Sequence, residues 1–258
     1  ISYFCYLKKK HINMKQIFVV VIALISFSSC SKEKKPENPK ESNLIAYFKL
    51  DGNTFDHSKT KAHGVTDQQF VSDRIGNLNS SLKFSNGYFR SGIIPLNLRG
   101  QYTFSMWMKI NAWDDGNALM ELTENKQCNL NPQIWQNGGV MYLTTSSNSN
   151  NRIRIPQISN CNGWTHVLYT VNETITNLYI NGVLTETKSM EWPNTQNVDL
   201  TLGNAGNQCF VSPGVQNPYK QPSRVTIDEV KIYNIILPNS EILKISGCGN
   251  QISPIKKI

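Results

Sequence analysis

The chain has 258 residues, 39% hydrophobic and 10% aromatic, enough apolar side chain to bury a substantial core and a length that suits one all-β domain. Its formal charge of +8 invites a nucleic-acid partner, but residues 1–43 hold 8 Lys/Arg against 3 Asp/Glu and leave 18 against 15 for the rest. With a nearly balanced body, and no stripe of Lys and Arg interleaved with aromatics, no nucleic-acid partner is expected.

Residues 1–13 read as an extraneous N-terminal extension ahead of a start at Met14, which leaves Cys5 without a role. Residues 14–29 have the anatomy of an export signal. A short positive start precedes an apolar run from Ile17 to Ile25 and the small-residue stretch Ser26-Phe27-Ser28-Ser29,. That run is far short of the roughly 20 apolar residues a membrane-spanning helix needs. Cys30, directly after two Ser, resembles the lipobox cysteine of bacterial lipoproteins, with Phe27 departing from the commoner Leu. The resemblance implies a signal peptide removed before a lipidated Cys30. Ordinary signal-peptidase cleavage with a structural Cys30, or an uncleaved anchor, are the alternatives. Residues 30–43 are charged, contain Pro and offer nothing apolar to bury, as a flexible tether would,. The expected location is the cell envelope, lipid-anchored to the outer membrane and facing the surface or the periplasm, with the lipid as the sole membrane contact.

From Leu44 onward, runs rich in Val, Ile, Leu, Thr and Tyr are punctuated by Asn, Gly, Pro and Ser clusters,. Strands are expected at 45–50, 81–84, 102–110, 118–123, 133–135, 140–145, 152–155, 165–172, 177–180, 183–188, 199–202 and 225–233. The segment Thr103-Phe104-Ser105-Met106-Trp107-Met108 alternates faces, and Asn181-Gly182 has the composition of a type I′ hairpin turn,. Only Asn239 to Ile245, after Pro238, could make a helical turn. So many strands with so little helix predict two packed antiparallel sheets over residues 44–250, followed by a tail at 251–258.

Four stretches in order resemble the laminin-G-like, concanavalin A-like jelly rolls. They are Leu44 to Ser58 with Ala62-His63-Gly64, Tyr102 to Met108 around Trp107, Trp164-Thr-His166-Val continuing to Gly182, and Leu202-Gly203-Asn204 with Ile227 to Tyr233. The resemblance implies an all-β jelly-roll sandwich across nearly the whole body. Trp107, Trp164 and His166 read as core packing with a satisfied hydrogen bond.

Asp228 lies between apolar residues, where a carboxylate needs a hydrogen-bonded loop or a cation. The Asp51-Gly52-Asn53 loop offers hard oxygen ligands, and the resemblance implies that Asp228 meets it. Asp51, Asn53 and Asp228 therefore read either as a Ca²⁺ site or as an Asx-turn beside a structural Asp.

Catalysis is not expected, although related jelly rolls include glucanases. Glu121 and Glu124 are three apart, so an ideal strand points them to opposite faces, and there is no Glu-x-Asp-x-x-Glu pattern or convincing Ser-His-Asp set,. Binding remains, with a glycan or an envelope protein as partner; a scaffold without a small ligand is the alternative. Trp113, Trp135, Tyr142 and Trp192 are candidate platforms for sugar rings. Trp135, Tyr142 and Arg154, around Asn137-Gly138-Gly139, form the candidate carbohydrate-binding set. Cys128, Cys161, Cys209 and Cys248 lie in loop contexts and suit disulfides with three connectivities, of which Cys128–Cys161 with Cys209–Cys248 is favoured.

Overall fold

The computed structural model describes residues 39–85, 87–113, 117–124, 132–145, 150–157, 159, 161–203 and 223–248. The leader, Cys30, Cys128, Cys209 and the tail at 251–258 lie outside the described residues. In chain order the strands are β1 (Leu44–Phe48), β2 (Val65–Thr66), β3 (Gln69–Val71), β4 (Ser81–Phe84), β5 (Tyr88–Arg90), β6 (Gln101–Ile110), β7 (Asn117–Thr123), β8 (Gln133–Asn137), β9 (Val140–Thr144), β10 (Arg152–Ile155), β11 (Thr165–Asn172), β12 (Ile175–Ile180), β13 (Val183–Ser189), β14 (Asp199–Gly203) and β15 (Val225–Tyr233). A seven-residue helix, Asn239–Ile245, follows Pro238 where the sequence allows one.

The strands form two antiparallel sheets. The larger runs β13-β12-β11-β6-β15-β4-β3, with β1 also on β15, and the smaller runs β10-β9-β8-β7-β14-β5-β2. On β15, Val225 to Ile227 pair with β4 and Val230 to Tyr233 with β1. Glu229, at φ 53°, falls in the register break between these halves, and an extra residue of this kind re-aims the strand.

Alternation explains the layers. Along β6, Tyr102, Phe104, Met106 and Met108 enter the core between the sheets, where they join Phe48, Phe89, Leu122, Ile134 and Leu200. Burying each such side chain contributes about 1.5–3 kcal/mol. The opposite residues, Thr103, Ser105 and Trp107, are buried as well. Part of that outer face is covered by a second cluster, in which Leu237 and Ile242 of the C-terminal segment pack on Leu168 and Tyr233.

One expectation is corrected. A disulfide joins Cys161 to Cys248, so neither Cys128–Cys161 nor Cys209–Cys248 forms. The C-terminal helix docks beside the β12–β13 turn, where a Cβ added at Gly182 would meet Ser246 Oγ at 2.4 Å. That docking carries the following Cys248 to the loop before β11.

Candidate functional site

On β8, Ile134 and Gln136 are buried while Gln133 and Trp135 are half-exposed, so period-two alternation turns Gln133 and Trp135 to the outer face of the smaller sheet. Register then pairs Trp135 with Tyr142, and Tyr142 with Arg154. The three residues expected to meet a glycan therefore share one cross-strand row, with Trp135 and Tyr142 half-buried and Arg154 exposed. The two rings lie 6.3 Å apart with a 34° tilt, and the Arg152 guanidinium stands 4.8 Å over Tyr142, a cation–π contact that fixes the ring.

A second row, two residues along the strands, consists of Arg152, Thr144, Gln133, Glu121, Thr201 and Arg90. Thr144, Glu121 and Thr201 in this row are buried, whereas Gln133 is half-exposed. Asp199, diagonal to Glu121, receives Arg90 Nε at 2.8 Å and Nη2 at 2.7 Å on one carboxylate oxygen. Glu124 is exposed and accepts Thr195 Oγ1–H at 3.1 Å.

Arg154 also lines a cavity of about 470 Å³ with Val140, Pro156, Gln157, Thr185 and Glu186, a volume suited to a small ligand. Thr185 and Glu186 belong to β13, the edge of the larger sheet, whereas Arg154 belongs to β10, the edge of the smaller one. Lys188 Nζ donates to Arg152 O at 2.9 Å across these edges. No local pattern in the sequence announces that two edge strands from different sheets meet, so Gln157, Thr185 and Glu186 were not foreseen. Of the other candidate platforms, Trp113 is exposed, but Trp192 is 3% exposed. Trp192 belongs to the core, stacks at 5.8 Å on Tyr169 and donates Nε1–H to Thr176 Oγ1 at 3.0 Å. It cannot serve as a platform, a correction its polar sequence surroundings concealed.

The larger sheet's outer face holds a buried polar cluster. Trp107 on β6 pairs with His166 on β11 and with Asp228 on β15. His166 is held by Ser105, with Oγ 2.8 Å from Nε2. Trp164 is buried too. Asp228, 2% exposed, receives Arg74 Nη1 at 2.8 Å, while the Arg74 guanidinium lies 4.8 Å over Trp107. Desolvation dominates the ionisation of Asp228 and, with the charge of Glu229, lifts its carboxyl to about 8 in spite of Arg74. Desolvation likewise holds His166 down at about 3, assisted by Lys231 and Arg74.

These contacts bear on the residues considered for calcium. Asn53 Oδ1 accepts the Phe55 N–H at 3.0 Å and its Nδ2 donates to Asp51 O at 2.9 Å, closing an Asx-turn. Asp56, beside this loop, accepts four hydrogen bonds from Tyr47 N, Ser58 N, Ser58 Oγ and Ala62 N. Asp51 acts on Asp228 electrostatically, but the cationic partner that donates to Asp228 is Arg74. A cation held by Asp51, Asn53 and Asp228 would have to displace that guanidinium. As arranged, the set does not fit calcium without movement of Arg74.

Two antiparallel sheets with this strand order form a concanavalin A-like jelly roll. The chain belongs to the laminin-G family of the concanavalin A-like lectin/glucanases superfamily, whose model matches residues 81–243. Among solved structures it is similar to the binding domain of botulinum neurotoxin DC in complex with rat synaptotagmin II, with 16% identity, 80% of this chain and 52% of that one covered, and a TM-score of 0.55. It is similar to the binding domain of paraclostridial mosquitocidal protein 1, with 18% identity, 80% and 52% coverage and a TM-score of 0.52. Domain 4 of an extracellular arabinanase from Geobacillus stearothermophilus, in complex with arabinotriose, shares 17% identity over 80% of this chain and 98% of that one, with a TM-score of 0.54. At these identities the likeness shows the fold. The chain spans about half the length of the toxin binding domains, and no curated protein matches it.

Proposed function

We propose that this protein is a non-catalytic carbohydrate-binding module, carried at the cell envelope on a lipid attached to Cys30. The observation that carries the reading is the Trp135–Tyr142–Arg154 row beside the cavity at Arg154. An aromatic face covers the apolar C–H face of a sugar ring, and adjoining guanidinium, amide and carboxylate groups orient its hydroxyls. The similarity to an arabinanase domain in complex with arabinotriose supports this reading. Carboxylate placement argues against hydrolysis, because Glu121 and Asp199 on this face are 5% and 3% exposed and Asp199 is held by Arg90.

The test is a glycan array probed with the wild-type protein and with Trp135→Ala. Retention by a subset of glycans, weakened about tenfold or more in the variant, is expected, since truncating a buried aromatic anchor costs more than about 1–2 kcal/mol. Equal retention by both proteins contradicts the assignment. The second reading, a protein-interaction scaffold, is supported by the likeness to a toxin domain in complex with synaptotagmin II. It predicts no retention by any glycan and co-purification with an envelope protein.

Calcium at Asp51, Asn53 and Asp228 remains a proposal that requires Arg74 to leave Asp228. Loss of thermal stability on chelation with EDTA supports it; an unchanged melting temperature supports the Arg74 pair.

A further inference from the structure

The larger sheet carries a second concavity, on its outer face. Lys83 on β4 and Lys109 on β6 are both cross-strand partners of Thr226 on β15. The two lysines therefore share one face, two strand spacings or roughly 9.6 Å apart. With Thr226 they floor a trough of about 480 Å³. One wall is the β3–β4 loop with Arg74; the other is Asn162 and Trp164, just before β11.

Among the described residues, donors outnumber free acceptors in this trough. Neither the Lys83 nor the Lys109 ammonium group has a hydrogen-bonding or ion-pair partner among the described residues. The lining carboxylate, Asp73, accepts Ile75 N–H, Asn77 N–H and Asn77 Nδ2–H at 2.9 Å each, which occupies its oxygens within its own loop but leaves its single negative charge beside the trough. Asn111 donates to Thr226 Oγ1 at 2.9 Å, which leaves the threonine hydroxyl proton and a second amide proton to be given. Arg74 spends Nη1 on Asp228, while its buried Nε has no acceptor among the described residues. With Asp73 as the one carboxylate among the described lining residues, Lys83, Lys109 and Arg74 leave the trough with an excess of positive charge, and a bound anion would offset their mutual repulsion.

We propose that this trough is an oxyanion site for a sulfate or phosphate ester group. Lys83 and Lys109 flank the anion and Thr226 and Asn111 donate to it. The site lies on the opposite sheet from the aromatic row and does not depend on carbohydrate being bound there. Two separated ammonium groups suit a ligand whose charge is spread over several oxygens, because each can pair with a different one.

The experiment is a chemical-shift titration of the full chain with inorganic sulfate and with inorganic phosphate. A separate arm sediments the protein with vesicles of phosphatidylcholine containing phosphatidylglycerol. The expected result is saturable movement of the Lys83, Lys109 and Thr226 amides that weakens with added sodium chloride. Lys83→Ala/Lys109→Ala should bind about tenfold or more weakly. Lys49→Ala/Lys244→Ala, which removes the same charge elsewhere, should bind as the wild type does. Vesicle binding that the first double variant loses identifies a lipid headgroup as the source of the anion, whereas binding of the free ions alone identifies a soluble ester. The proposal is overturned if neither ions nor vesicles bind saturably, if the Lys83/Lys109 variant keeps wild-type affinity, or if the charge-matched control loses as much.

Discussion

Asp228 and His166 flank the same tryptophan from neighbouring strands, and burial acts on them in opposite senses. Asp228 rises from 3.8 to about 8, so between these values the folded state holds a proton that the unfolded chain releases, and stability falls as pH rises,. His166 drops from 6.5 to about 3, so the unfolded chain holds the extra proton and stability falls as pH falls,. From about pH 4 to 6.5 the two slopes oppose each other. What remains from this pair is an alkaline decline from about 6.5 to 8 and an acid decline from about 4 to 3. Urea unfolding across this range should show Asp228→Asn losing the alkaline limb and His166→Gln losing the acid one; an alkaline limb that survives Asp228→Asn refutes the assignment. Arg74→Ala, which leaves a buried carboxyl without its donor, should cost about 1–3 kcal/mol at neutral pH. The sequence showed that Asp228, set among apolar neighbours, needed a partner. It could not show that the partner is Arg74, because 154 positions separate them and the pairing of β4 with β15 in one sheet closes that distance.

At the scale of elements, the β12–β13 hairpin shows what local chemistry determines. Asn181 and Gly182 have φ of 51° and 82°, the left-handed pair a type I′ turn requires. Gly182→Ala should destabilise by roughly 1–2 kcal/mol from backbone strain, and by more where the added methyl meets Ser246. Melting temperature is the measurement, and an unchanged value refutes the close approach. The turn, the long strands and the helix after Pro238 were all legible, since each rests on residues within one window. β2, β3 and β5 were not, because segments of two or three residues such as Val65–Thr66 carry no period and owe their conformation to a neighbouring ladder. The disulfide partner was hidden for a similar reason, as Cys161 and Cys248 stand 87 residues apart and their loops look alike in composition. Replacing both with Ser should cost about 2–5 kcal/mol and expose the amides of Asn239–Ile245 to faster hydrogen exchange. Unaltered exchange there would show that the bridge does not hold the helix down.

Across the whole molecule, the two outer faces have different characters. The larger sheet's face is covered in part by the C-terminal segment, holds the buried Trp107 cluster, and carries the lysine trough beside that cluster. The smaller sheet's face leaves its aromatic row half-exposed at the β8–β10 end. Alternation in Gln133-Ile134-Trp135 and Val140-Met141-Tyr142 made that row legible. The cavity beside it was not, because it depends on edges from both sheets. This asymmetry yields a direct test, since the chain has five tryptophans in distinguishable settings: Trp107, Trp164 and Trp192 are buried, Trp113 is exposed, and Trp135 stands in the row. Titrating an oligosaccharide retained on the array while following the five indole N–H resonances should move Trp135 and leave Trp107, Trp164 and Trp192 in place. Movement confined to Trp113, or no indole movement at a concentration that saturates binding, would contradict the assignment of the smaller sheet's outer face as the binding surface.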